Sequence, residues 1–223
     1  MSLRERLLTI LIRGLPAWLI LCGLLTIVAP NLGNAIGRLV PWGGFVDEHY
    51  LDGRIAPLFT PEVDYWVEDI RRWAQTYGVD PNLVATVIQI ESCGDPRAVS
   101  TAGASGLMQV MPQHFEAGED PLDPETNMMR GLQILAECLY SPYNPQHDVG
   151  LALACYNAGP RIFVNAFESW PQQSRYYYVW GTGVYADAVA GLAASETLAQ
   201  WLGAGGELLC AGARESLGLS PGP

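Results

Sequence analysis

The chain has 223 residues, of which 49% are hydrophobic and only 16% charged, and its formal net charge is −11, with Arg as its sole strong base and no Lys. Once an N-terminal segment is set aside, that length suits one globular domain, and the low charge excludes a disordered polyelectrolyte. An acidic chain without a basic stripe also argues against nucleic acid as a partner.

Arg4, Arg6 and Arg13 precede an uncharged stretch over 14–37 whose centre, 17–29, is nearly all apolar. A bilayer span needs about 20 mostly apolar residues. Residues 1–30 are therefore expected to be an N-terminal membrane anchor, with the basic residues favouring a cytoplasmic N-terminus. A cleaved signal sequence is the alternative, with Gly33-Asn34-Ala35 as a weak cleavage site. Cys22 follows bulky Leu21 and does not make a convincing lipoprotein site. In either case the remainder is exported. Residues 31–59, broken by Gly and Pro, read as a spacer.

Regular structure is expected over 60–192. Thr60-Pro61 predicts a helix start, with Val63, Trp66, Val67, Ile70, Trp73, Ala74 and Tyr77 at helical spacing and Gly78 as the stop. Asp80-Pro81 opens a second helix that carries Leu83, Val84, Val87, Ile88 and Glu91 on one face. Residues 94–106, rich in Gly, Ser and Ala, read as loop. Asp123-Pro124 starts a helix with Met128, Leu132, Leu135 and Leu139 inward, and Asp148 starts another that runs towards Tyr156 before Gly159-Pro160 breaks it. Two more helices are predicted over 161–169 and 173–192. Residues 193–223 read as a C-terminal tail with one weak helix near 198–202 and partial disorder. No alternating run long enough for a strand occurs, so the fold class is mainly α.

Four cysteines lie beyond the membrane segment: Cys93, Cys138, Cys155 and Cys210. Export permits disulfides, and four cysteines allow three full pairings. No Cys-x-x-Cys pair occurs and His is scarce, which argues against a zinc site; no metal or cofactor is expected.

Glu91 is the candidate for chemistry because it continues an apolar stripe. Burial disfavours a carboxylate and raises its pKa, and a protonated carboxyl is what a departing glycosidic oxygen needs. Gly103 and Gly106 permit a tight turn around Leu107, Met108, Gln109 and Met111, which can form a cleft wall. Tyr156 and Asn157 sit just before a helix break, where Tyr156 can hold the Glu91 carboxyl and Asn157 can bind an acetamido group. Asp95, the nearest acid, reads better as a local turn residue than as a second catalytic carboxylate.

Taken in order, Glu91-Ser92 with Pro96 behind it, Gly106-Leu107-Met108-Gln109-Val110-Met111-Pro112, Asp123-Pro124-Glu125-Thr126-Asn127 and Tyr156-Asn157-Ala158-Gly159-Pro160 resemble the motifs of the SLT-type lytic transglycosylases, relatives of goose-type lysozyme. The resemblance covers about residues 62–187. It implies a lysozyme-like helical domain with a substrate cleft, acting on peptidoglycan between N-acetylmuramic acid and N-acetylglucosamine. Position by position, it implies Glu91 as the single acid/base and Ser92, Gln109, Met111, Tyr156, Asn157 and Tyr178 as substrate-binding residues. Tyr178 and Tyr185 resemble the tyrosines of a last motif, where the match is looser because Gln173-Ser174-Arg175 replaces the family's Glu-Thr. The expected product is a 1,6-anhydro-muramyl end, and the expected location is the bacterial cell envelope. The alternatives are a lysozyme-type hydrolase on the same fold and a non-catalytic wall-binding module.

Overall fold

The computed structural model describes residues 53–220, so the expected membrane segment and most of the spacer lie outside the described residues. Within them, no helix is long and apolar enough to cross a membrane. The domain is built of helices: α1 (Pro61–Asp64), α2 (Val67–Tyr77), α3 (Pro81–Glu91), α4 (Pro124–Leu139), α5 (Val149–Ala158), α6 (Gln172–Val189), α7 (Glu196–Trp201) and α8 (Glu207–Leu217). Extended pairing among the described residues is confined to isolated bridges, Val99 with Ser105 and Ser105 with Val110.

The central element is α3. Every residue from Pro81 to Gln89 is buried, so this helix has no wet face and must satisfy its polar side chains internally. Asp80 caps it, accepting from the Asn82 amide at 2.8 Å. The Asn82 side chain accepts from the Ala56 amide at 2.9 Å, and the Gln89 side chain accepts from the Thr60 amide at 3.1 Å. These bonds draw residues 56–60 onto the core, where Ala56, Leu58 and Phe59 are buried. The end of the expected spacer is therefore part of the domain's packing.

Three local expectations are corrected. The single helix predicted from Thr60 to Tyr77 is two helices, parted at Trp66, whose indole donates to the Gly94 carbonyl at 2.9 Å. Residues 161–169 form two short 3-10 turns, Pro160–Val164 and Phe167–Ser169, because extended backbone at Asn165 and Ala166 interrupts them. The expected disordered tail is helical through α7 and α8. Local propensity in this Gly-rich segment is weak, and tertiary bonds hold it instead.

Those bonds are specific. Cys93 is joined to Cys210, and Cys138 to Cys155. The first bridge ties α8 to the chain two residues beyond Glu91. Beside it, Arg214 reaches the fully buried Glu62 at 2.6 Å. Arg97 donates to the Ser216 carbonyl at 2.7 Å. Replacing both Cys93 and Cys210 by Ala is expected to destabilise the domain by about 2–5 kcal/mol, read as a lower midpoint in denaturant with the helical signal retained at zero denaturant.

Candidate active site

Glu91 is the last residue of α3, and the backbone turns sharply behind it. Cys93 and Gly94 both have positive φ, 51° and 86°. A Cβ on Gly94 would lie 2.5 Å from the Glu62 carbonyl oxygen, so glycine is required where the chain passes α1. This turn leaves the Glu91 side chain at a cavity of about 380 Å³, lined also by Ile90, Asn157, Gln172, Gln173, Tyr176, Tyr177, Trp180 and Trp201. Among these residues Glu91 alone bears a carboxyl.

Burial pushes the Glu91 carboxyl up to about 8, while the neighbouring Tyr177 hydroxyl pulls it partly back. Tyr177 is itself buried, and its hydroxyl points towards Glu91 without closing a hydrogen bond of ordinary geometry. Burial first, and the Glu91 charge second, hold both the Tyr177 and Tyr156 hydroxyls well above the usual phenol range. Near neutrality the site thus contains a protonated carboxyl and two neutral phenols.

The loop over 103–112 is fixed from three directions. Ser92 donates to the Leu107 carbonyl at 2.8 Å, and Tyr156 donates to the Met108 carbonyl at 2.7 Å. Asn127, on α4, accepts from the Met108 amide at 2.9 Å and donates to the Ser105 carbonyl at 2.7 Å. Gly106 is left-handed, with φ 73°, and a Cβ there would lie 2.4 Å from the Asn127 amide nitrogen. The four sequence motifs therefore meet through one set of buried hydrogen bonds.

Two of the sequence-predicted residues, Glu91 and Asn157, line the cavity together. Asn157 accepts the Ser174 hydroxyl at 2.8 Å, which turns its amide oxygen away from ligand duty and leaves the amide nitrogen as the end it can offer. The others are placed differently. Tyr156 gives its hydroxyl to the loop backbone, and it is Tyr177 that faces the carboxyl. Ser92 is buried and braces the loop. Gln109 has φ 47° and donates to the Ala98 and Gly106 carbonyls, both at 3.1 Å, and neither it nor Met111 lines this cavity. Tyr178 packs edge-on against Phe167 and Trp170, away from the cavity. Asp95 accepts from the Arg97 amide at 2.9 Å, the local turn bond expected of it.

Sequence reasoning missed Tyr177, Tyr176, Trp180 and Trp201. For Tyr177 the signal was present. Ser174, Tyr177, Gly181, Val184 and Ala188 are the buried positions of α6 and recur at helical spacing, an inward stripe that includes Tyr177 and leaves Tyr178 out. Tyr176 and Trp180 stack on each other one turn apart, with centroids 5.1 Å apart and planes 17° from parallel.

A profile of the transglycosylase SLT domain matches residues 68–179, half of the chain, and the chain belongs to that family. It is similar to the protein named "Transglycosylase" of Enterobacteria phage PRD1, 40% identical over 96 residues that make up 42% of this chain and 35% of that protein. It is also similar to the "Membrane-bound lytic murein transglycosylase C" of Actinobacillus pleuropneumoniae serotype 5b (strain L20), 30% identical over 118 residues, covering 44% of this chain and 32% of that protein. The protein of the same name from Haemophilus influenzae (strain 86-028NP) is 31% identical over 119 residues, 45% of this chain and 33% of its own. The chain thus spans about a third of the length of these relatives.

The raised Glu91 pKa has a thermodynamic sign. Between the ordinary value of 4.5 and about 8 the folded state keeps a proton that the unfolded state gives up. Stability is therefore lost as pH rises through that window, by at most about 1.4 kcal/mol per pH unit. Thermal melting of Glu91→Gln is expected to lack this fall, so that its advantage over the parent domain widens from pH 5 to pH 8.

Proposed function

We propose that the protein is a peptidoglycan lytic transglycosylase that cleaves the β-1,4 bond between N-acetylmuramic acid and N-acetylglucosamine. The observation that carries this reading is the enclosed Glu91 carboxyl, raised to about 8, as the single acid on an aromatic-lined cavity. Protonated at neutral pH, Glu91 gives its proton to the glycosidic oxygen as the bond to the anomeric carbon breaks. The N-acetyl carbonyl of the muramic residue supports the oxocarbenium-like centre. Glu91, now a carboxylate, takes the proton of that sugar's C6 hydroxyl, whose oxygen closes on the anomeric carbon. The product is a 1,6-anhydro ring, and the acid is restored without water being consumed. Ring closure benefits from proximity, since nucleophile and electrophile belong to one sugar. The neutral Tyr177 hydroxyl beside the carboxyl supports the step in which Glu91 becomes charged, because a donor to a buried carboxylate replaces the water it lacks. The Asn157 amide nitrogen is a suitable donor to the substrate's acetamido oxygen.

The same reading assigns residues 1–30 as an anchor or cleaved export signal, with the domain outside the cytoplasm. The two disulfides support that location, since such bonds persist in oxidising compartments. The names of the relatives from Actinobacillus and Haemophilus, which describe membrane-bound lytic murein transglycosylases, point the same way.

Digestion of purified peptidoglycan followed by mass spectrometry tests the proposal. Released muropeptides are expected to end in anhydro-muramyl groups that resist borohydride, and reducing ends would replace this reading by a hydrolase. Glu91→Gln is expected to lower turnover by about 10²–10⁴-fold while the helical spectrum is unchanged; retained activity would remove Glu91 from its role.

A further inference from the structure

The segment beyond the family match builds one wall of the cavity. Ser195 caps α7, accepting from the Leu198 amide at 3.0 Å, and its hydroxyl donates to Asp187 on α6 at 2.6 Å. Thr197 lies so close to Gly183 of α6 that a Cβ on that glycine would come within 2.6 Å of the Thr197 hydroxyl. α7 is thereby seated against α6, the helix that also brings Gln172, Gln173, Tyr176, Tyr177 and Trp180 to the cavity. At its end stands Trp201, only 5% exposed and yet part of the cavity lining. Gly206 backs its indole, since a Cβ there would lie 2.4 Å from Cε3. The Cys93–Cys210 bridge and the Arg214–Glu62 pair then fasten α8.

We propose that Trp201 is a specificity-determining residue of the sugar site, delivered to it by a C-terminal segment that lies outside the family match. A pyranose ring has apolar C–H faces and polar edges, and an indole held in one orientation fits such a face at little entropic cost. The cavity supplies the complementary polar groups through Asn157, Gln172 and Gln173, and the stacked Tyr176–Trp180 pair adds a second aromatic surface. The ligand class is an N-acetylhexosamine unit of a β-1,4 glycan. The inference rests on the proposed function for its substrate class and goes beyond it in the residue and the segment assigned.

Binding can be read without turnover. In the Glu91→Gln background, a β-1,4-linked N-acetylglucosamine tetramer is titrated by calorimetry into three proteins. One keeps Trp201, one carries Trp201→Phe and one carries Trp201→Leu, with thermal melting run in parallel. Trp201→Leu is expected to raise Kd about tenfold, the scale of losing one well-packed aromatic anchor, with a cooperative melt retained. Trp201→Phe keeps an aromatic wall and is expected to lie between the two, so it decides the matter where the Leu variant does not fold. Gly206→Ala, at a residue with ordinary helical backbone that does not line the cavity, is expected to raise Kd in the same direction by pushing the indole. An unchanged Kd in cooperatively melting Phe and Ala variants would overturn the proposal, and so would a Glu91→Gln protein that binds no oligosaccharide. A parent enzyme that binds the tetramer but releases no muropeptide from peptidoglycan would sink only the transglycosylase reading.

Discussion

Keeping one carboxyl partly out of water governs the architecture. A charged Glu91 at this depth is penalised by desolvation, and the domain accepts the neutral acid instead, with its pKa moved to about 8. For that to hold, α3 must be enclosed along its length, and nine consecutive residues of it are buried. A helix with no wet face cannot leave Asn82, Thr86 and Gln89 unpaired. Thr86 donates to the Asn82 carbonyl within the helix, whereas the bonds of Asn82 and Gln89 recruit residues 56–60 to the core, so the need to satisfy a buried helix shapes segments far from the cavity.

The loop over 103–112 meets the same demand in another form. Its residues 105–108 and 110 are buried, and their carbonyls and amides would be costly if unpaired. Ser92, Tyr156 and Asn127 supply partners from three separate helices or helix ends, and this is why their motifs form a set in the sequence. They act on backbone atoms of the loop. The division of labour is sharp: residues that hold the loop are polar and buried or half-buried, whereas four of the nine that line the cavity are aromatic, three of those carried by α6.

Much of this was legible in the sequence where the cause is local. Asp80-Pro81, Asp123-Pro124 and Asp148 mark their helix starts correctly because capping is a short-range interaction. Glu91 stood out because its place in the apolar stripe is also a local property. What escaped was settled by tertiary contact. The acceptor of the Tyr156 hydroxyl is a carbonyl 48 residues away, which no spacing rule reveals. The pairing of four cysteines was open among three choices. The C-terminal segment looked weak because its Gly-rich sequence is weak, and it is held by a disulfide and by the half-buried Arg214 paired with the buried Glu62, which only the folded chain brings together. Tyr177 differs from these: its inward register was available, and likeness to a motif favoured its neighbour Tyr178 instead.

The Cys93–Cys210 bridge spans 117 residues and so closes most of the domain into a covalent ring, with Cys138–Cys155 forming a smaller ring inside it. A single backbone cut anywhere in the exposed turns between those outer cysteines opens the ring but releases no fragment. The helix bearing Glu91 and the helix following Trp201 stay on one covalent object after such a nick. Clipping by a protease therefore does not by itself dismantle the molecule, because scission and loss of parts have become separate events.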